Sequence, residues 1–336
     1  MNYEQKEVEP ELEGIEAAPA KRDRLLPASI VIAAVILAGT WVYTAGLKSR
    51  QDQTAVPPRS ESNIAAEPSG ENAASESGIV LPAKWGNLGK QMVAVGVIDG
   101  TQFKALYAQR GGMSVDMKAL LDADDNGQLK ITAQNAGTLL NLLWALGLGN
   151  KNPILEKGPM MDPQYGSAGN FASTGGWTIA KGSPMSHYGM HQFVTLTAEQ
   201  QLLVEKVAKN IYRPCCGNPV YFPDCNHGMA MLGLLELMAS QGVSEAEMYK
   251  AALAANSYWF PDQYATIARY FESKGISPKS VDPKEVLGAT YSSGQGFARI
   301  QALAPAAPST QQSQGSCGVD AGPAAAPQQQ QNSCGV

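Results

Sequence analysis

Hydrophobic and polar positions divide the chain into segments of different kinds. Residues 25–47 (LLPASIVIAAVILAGTWVYTAGL), bounded by Leu25 and Leu47, contain no charged residue. At ~1.5 Å per residue a helix of this length spans a ~30 Å hydrocarbon core with some tilt. Pro27 falls in the first turn, where its missing N–H costs no bond, and Trp41 and Tyr43 stand where an interfacial aromatic belt would lie. A secretory signal has an apolar region of about 7–15 residues behind a short leader, whereas a long acidic segment precedes this one. The pattern predicts an uncleaved single-pass anchor.

Beyond the anchor the periodicity is helical. TQFKALYAQR, SVDMKALLDA and AQNAGTLLNLLWALGLG each read as helix. Thr197 with Gln200 makes a capping box ahead of AEQQLLVEKVAKNIY, whose Leu202, Val204, Val207 and Ile211 fall mainly on one face. Residues 228–240 (GMAMLGLLELMAS) are apolar nearly all round, with Glu236 the one charge, which is the pattern of a buried helix. Ser244 with Glu247 makes a second capping box, Pro261 takes the first-turn position that proline favours, and Asp282-Pro283 opens a further helix. Alternating runs are scarce, and QLKIT and QFVTLT are the two that suggest strands. The fold expected is mostly α: one or two compact helical domains.

Polar, low-complexity sequence fills the remainder. The expected organisation is a disordered cytoplasmic tail (1–24), the transmembrane helix (25–47), a disordered stalk rich in Ser, Glu, Ala and Pro (48–83), a helical subdomain (84–150), an irregular loop region (151–196), a helical domain holding the Cys/His cluster (197–303) and a disordered tail (304–336). Glycines and prolines recur every few residues between 151 and 190, and so long an irregular stretch is usually a functional one.

Lys21, Arg22 and Arg24 precede the anchor, and Lys48 and Arg50 follow it. The positive-inside rule then places the N-terminus in the cytoplasm and the bulk of the chain outside the cell membrane, in a compartment that permits disulfides. The net charge is −5, with no basic run beyond the anchor, so nucleic acid is not an expected partner.

The chemistry-bearing residues are concentrated. In NIYRPCCGNPVYFPDCNHGMAMLG, Cys215, Cys216, Cys225 and His227 form a Cys-Cys-x8-Cys-x-His cluster. Thiolate and imidazole are the ligand set of zinc and copper(I), and the thioethers of Met229 and Met231 would add preference for copper(I). His187 and His191 stand four apart beside Met185 and Met190, a second pair of potential ligands. Methionines at helical spacing also serve as core filler, so both roles stay open for Met229 and Met231. Asp122, Asp124, Asn126 and Gly127 resemble the front of an EF-hand loop, but the position that needs a bidentate carboxylate is Ala133. Calcium is therefore not an expected cofactor, and the segment also reads as a polar turn.

The same cysteines admit two other readings. Adjacent Cys215 and Cys216 rarely bond each other, so one would pair with Cys225 and leave a thiol over. Either the thiols are reactive, with Cys215 or Cys216 as nucleophile and Cys225 or a tail cysteine resolving, or the pair is a structural disulfide in an interaction domain. Cys317 and Cys334 recur in GSCGVD and NSCGV on Gln/Ala/Pro spacers. With an r.m.s. reach of ~5–6 Å × √n, such a tail can revisit the cluster.

A cysteine cluster, an apolar helix and then Gly242-Val-Ser244-Glu-Ala-Glu247-Met248 resembles, over about fifty residues, the thiol domain of cytochrome c maturation proteins. It is also similar to extracytoplasmic proteins carrying a Cys-Tyr-Cys-Gly-Cys motif. The resemblance implies a membrane-anchored, extracytoplasmic thiol protein, although the cysteines here are adjacent and not Cys-x-x-Cys. His-Glu-x-x-His, a phosphate-binding glycine loop and Gly-x-Ser-x-Gly are all absent, which removes the hydrolase and NTPase readings. The sequence points to a metal-binding protein, using copper or zinc, that hands metal to an acceptor protein. The alternatives are a thiol–disulfide oxidoreductase, the one enzymatic reading, and a non-catalytic interaction domain.

Overall fold

The two strands that open the folded region lie far apart in sequence and pair antiparallel, Ile79 opposite Ile131. They belong to a computed structural model that describes residues 78–307. The expected anchor at 25–47, the leader before it, most of the stalk, and Cys317 and Cys334 lie outside the described residues. Among the described residues no helix is long and apolar enough to cross a membrane.

Strand β1 (Ile79–Lys84) begins inside the stretch expected to be stalk, and β2 is Gln128–Ile131. Pro82 in IVLPAK obscures the strand in sequence. It is tolerated because each strand of a two-stranded sheet is an edge. Leu81, Ala83, Leu129 and Ile131 face inward.

Around this ribbon the architecture is mostly helical, as expected. Helices α1 (Leu88–Val95), α2 (Gly100–Ala108) and α3 (Val115–Asp122) precede β2, and α4 (Ala136–Gly149) follows it. After the irregular region come α5 (Ala198–Ala208), α6 (Asn226–Ser240), α7 (Glu245–Trp259), α8 (Pro261–Ser273) and α9 (Gly294–Leu303). The two capping boxes form as the sequence indicates, Thr197 with Gln200 and Ser244 with Glu247. One apolar position of α5 differs from expectation: Val204 and Val207 are buried, but Leu202 is 66% exposed.

Helices α4 and α6 lie at the centre of the described core and approach each other closely at two glycines. A methyl group on Gly147 would come within 2.1 Å of the Met229 carbonyl oxygen, and one on Gly233 within 2.5 Å of the Leu143 oxygen. Only glycine allows so close an approach. The crossing joins stretches 84–150 and 197–303 into a single core whose members run from Leu81 to Leu287. A smaller cluster of Phe260, Tyr264, Ile267, Phe271, Val286 and Ile300 packs the C-terminal helices together.

The region from 151 to 196 is irregular, built of single helical turns, yet it is pinned down. Trp177 is buried edge-on against Trp144 at 4.7 Å, and its Nε1–H donates to the Val97 carbonyl at 2.9 Å. QFVTLT is not a strand. His191 makes an isolated bridge to Asn150, and the N–H groups of Phe193 and Val194 both donate to Asn150 Oδ1 at 3.0 Å. One side chain thus satisfies backbone that a strand would have satisfied with a neighbour. In the EF-hand-like segment, Asp122 pairs with Lys104 at 2.7 Å and Asp124 pairs with Lys90, while Asn126 donates to the carbonyls of Gly86 and Ala119. These bonds are those of a polar turn joining α3 to β2.

Candidate metal centre

Residues 209–225 form the loop that leads from α5 into α6, and from Arg213 on it closes on itself around that buried arginine. Arg213 is 1% exposed, and every nitrogen of its guanidinium is used. Nε donates to Cys225 Sγ (3.1 Å), Nη1 to the Asn218 carbonyl (2.7 Å), and Nη2 to the Phe222 carbonyl (3.3 Å) and Asp224 Oδ1 (2.5 Å). Asn218 braces the other carboxylate oxygen of Asp224 at 2.7 Å. A β-carbon at Gly228 would stand 2.5 Å from Nη2, so the first turn of α6 must be bare where the guanidinium lies beneath it.

This closure brings the ends of the Cys-Cys-x8-Cys motif together. Cys225 is the N-cap of α6, and its sulfur accepts the Gly228 N–H at 3.4 Å. The Sγ atoms of Cys215 and Cys225 are 3.6 Å apart, those of Cys216 and Cys225 3.7 Å, and those of Cys215 and Cys216 4.0 Å. All three are free thiols, partly accessible. Three sulfurs bonded to one tetrahedral ion at about 2.3 Å would stand about 3.8 Å apart, so the triangle has the dimensions of a thiolate face for a metal. The triad lies close enough together to hold a metal ion.

His227 stands to one side of the triangle, outside the group that the three cysteines form. Its Nδ1 is 3.9 Å from Cys215 Sγ, where a sulfur and a nitrogen on the same ion would be about 3.6 Å apart. Its ring rests on Phe260 (4.4 Å between centroids) and lies 6.0 Å from Trp259. Cys215 also packs against the C-terminal aromatic cluster.

The electrostatics of the three sulfurs are unequal. Hydrogen bonds from Cys215 and Cys216, then the Arg213 charge and His227, hold the Cys225 thiol well below the usual range against the opposing effect of burial. Its position at the start of α6 acts in the same direction. Cys215 is pushed well up by its bonds to Cys216 and Cys225 and by burial. The bond with Cys215 lowers Cys216, but the bond to Cys225 and burial together push it up to about 12. Burial works against the Arg213 charge, and Cys225, Cys216 and Asp224 more than restore it.

The other ligands expected from sequence are elsewhere. His187 and His191 pair with each other, Nδ1 to Nε2 at 3.0 Å, and the second ring nitrogen of His187 lies 3.1 Å from the Lys181 carbonyl. They do not belong to the group formed by the cysteines. Met229 and Met231 are fully buried core residues of α6. Arg213, Asn218 and Asp224 were not expected at the site. The one clue to them is position, since Arg213 stands two residues before the cysteine pair and Asp224 immediately before Cys225. Searches against protein-family models, curated proteins and solved structures find no match for the chain.

Proposed function

We propose that Cys215, Cys216 and Cys225, completed by His227 Nδ1, bind one d10 metal ion, zinc in preference to copper(I), in a membrane-anchored protein that handles metal outside the cytoplasm. The observation that carries this reading is the sulfur triangle, with edges of 3.6, 3.7 and 4.0 Å. Charge favours zinc. Arg213 and its partner Asp224 cancel, so three thiolates leave a net charge of only −1 around a divalent ion but −2 around a monovalent one in a half-buried site. The thioethers that would have favoured copper(I) are occupied in the core. Cys317 and Cys334 are the groups within tether range that would pass the ion to an acceptor protein.

The test is metal content of the full chain, purified anaerobically under reductant and loaded with zinc or copper(I). Wild type is expected to hold one ion per chain. Cys216→Ser and His227→Ala should each lose most of it and each lower the melting temperature of the loaded protein, because bound metal stabilises the fold. Wild type holding no more metal than Cys216→Ser would end this reading.

A second reading, thiol–disulfide exchange, is supported by one feature: Cys225 is a low-pKa thiol at a helix N-terminus with two partner thiols in reach. In that case His227→Ala slows exchange and leaves stability unchanged.

A further inference from the structure

We propose that the cysteine triangle also captures trivalent, thiol-seeking hydroxides of the arsenite class, bound by its three sulfurs alone. The proposal shares the cysteines with the metal reading but not His227, so the two can fail separately.

Three features carry it. First, arsenic(III) binds three sulfurs as a pyramid, with a lone pair where a tetrahedral ion needs a fourth ligand. The structure offers such a set: three sulfurs mutually within 4.0 Å, and an imidazole that is close to Cys215 but outside the group. Second, the triangle is held in shape before any ligand arrives. Arg213 Nε and the Gly228 N–H fix Cys225 Sγ, and the Gly294 N–H, at the start of α9, fixes the Cys216 carbonyl at 2.8 Å. Third, Cys215 borders the aromatic cluster around Phe260 and Trp259, an apolar wall that suits a soft ion with no further ligand to recruit.

The exchange balances without an oxidant. Each As–O bond is replaced by an As–S bond, the thiol proton leaves with the hydroxide as water, and three waters are released per ion. Arsenic remains trivalent and no electrons move. Once the first bond forms, the second and third thiols act as tethered neighbours at high effective concentration, so the third sulfur should add greatly to affinity.

The experiment uses the full chain carrying Cys317→Ser and Cys334→Ser, which leaves the triangle as its only thiols, reduced and titrated anaerobically with sodium arsenite. Mass spectrometry should find one arsenic per chain at a mass of the protein plus arsenic less three hydrogens, with no thiol left to alkylate. Adding Cys216→Ser should leave one hydroxide on arsenic and raise Kd at least about tenfold. Cys225→Ser, in which serine can still cap α6, should do the same. His227→Ala should bind arsenite within about twofold of its parent. A free thiol in the saturated protein would overturn the proposal, as would serine variants that bind as tightly as their parent or a loss in His227→Ala as large as theirs. Zinc binding without full thiol protection by arsenite would leave the metal reading standing and this one refuted.

Discussion

Arg213 is the residue on which the candidate site is built, since one guanidinium ties together Asn218, Phe222, Asp224 and Cys225. Removing it takes one donor each from the Asp224 carboxylate and the Asn218 and Phe222 carbonyls, and leaves Asp224 part-buried without its opposite charge. Arg213→Ala should therefore cost about 3–5 kcal/mol of unfolding free energy, measurable by urea denaturation. Gly228→Ala tests the same contact from the other side, because its methyl group would press on Nη2, and about 1–3 kcal/mol should be lost. A Gly228→Ala protein as stable as wild type would mean that the guanidinium does not lie under the first turn of α6. Glu236 is a different case. It is fully buried, Oε2 accepts from Asn150 Nδ2 at 3.0 Å, and Oε1 has no partner among the described residues. Burial raises its pKa well above the usual carboxylate value. The folded protein therefore holds a proton that the unfolded chain releases above the ordinary glutamate pKa. Stability should fall as pH rises from there toward the folded pKa, by up to about 1.4 kcal/mol per pH unit. Glu236→Gln should remove that part of the slope between pH 5 and pH 8, and unfolding curves that remain parallel for the two proteins would contradict it.

The α4–α6 crossing holds the site in place, because α6 carries Cys225 and His227 at its first turn and Gly233 at its centre. Gly147→Ala would drive a methyl group into the Met229 carbonyl, and overpacking or separation of the helices should cost about 2–3 kcal/mol. Gly127→Ala, where nothing lies within 4 Å, is the control and should change stability by less than about 0.5 kcal/mol. Features set by local chemistry were legible in the sequence: both capping boxes, the proline that opens α8, and the buried character of α6 with its single charge. Features set at long range were not. The Gly147–Gly233 contact depends on two glycines far apart in sequence, each of which reads alone as a weak spot in a helix. Asn150 replaces strand pairing for Phe193 and Val194, so alternation in QFVTLT misleads. Pro82 conceals β1. At the site, the Cys-Cys-x8-Cys-x-His spacing was legible because the cysteines identify themselves. The arginine fork was not, since a charged residue in sequence carries no sign that the loop will bury it. Short separation between His187 and His191 does bring them together, but with each other and apart from the cysteines.

At the scale of the whole molecule, one helical core supports a three-sulfur face at the start of its central helix, with a positive charge beneath it and an imidazole beside it. The chain's two further cysteines lie beyond α9, whose first residue, Gly294, donates its N–H to the Cys216 carbonyl. Deleting residues 305–336 should leave the metal stoichiometry unchanged and slow transfer to an acceptor, because the tail supplies proximity and not the site itself. The central claim is that three thiolates and one imidazole converge on a single ion. Its most direct test is anaerobic titration of the reduced full chain, with Cys317→Ser and Cys334→Ser, by cobalt(II), a spectroscopic stand-in for zinc. The account predicts tetrahedral cobalt bands saturating at one ion per chain, thiolate-to-cobalt charge transfer that weakens in Cys216→Ser, a band shift in His227→Ala, and displacement by one equivalent of zinc. Spectra of hexaaqua cobalt throughout the titration, or identical spectra for wild type and Cys216→Ser, would contradict it.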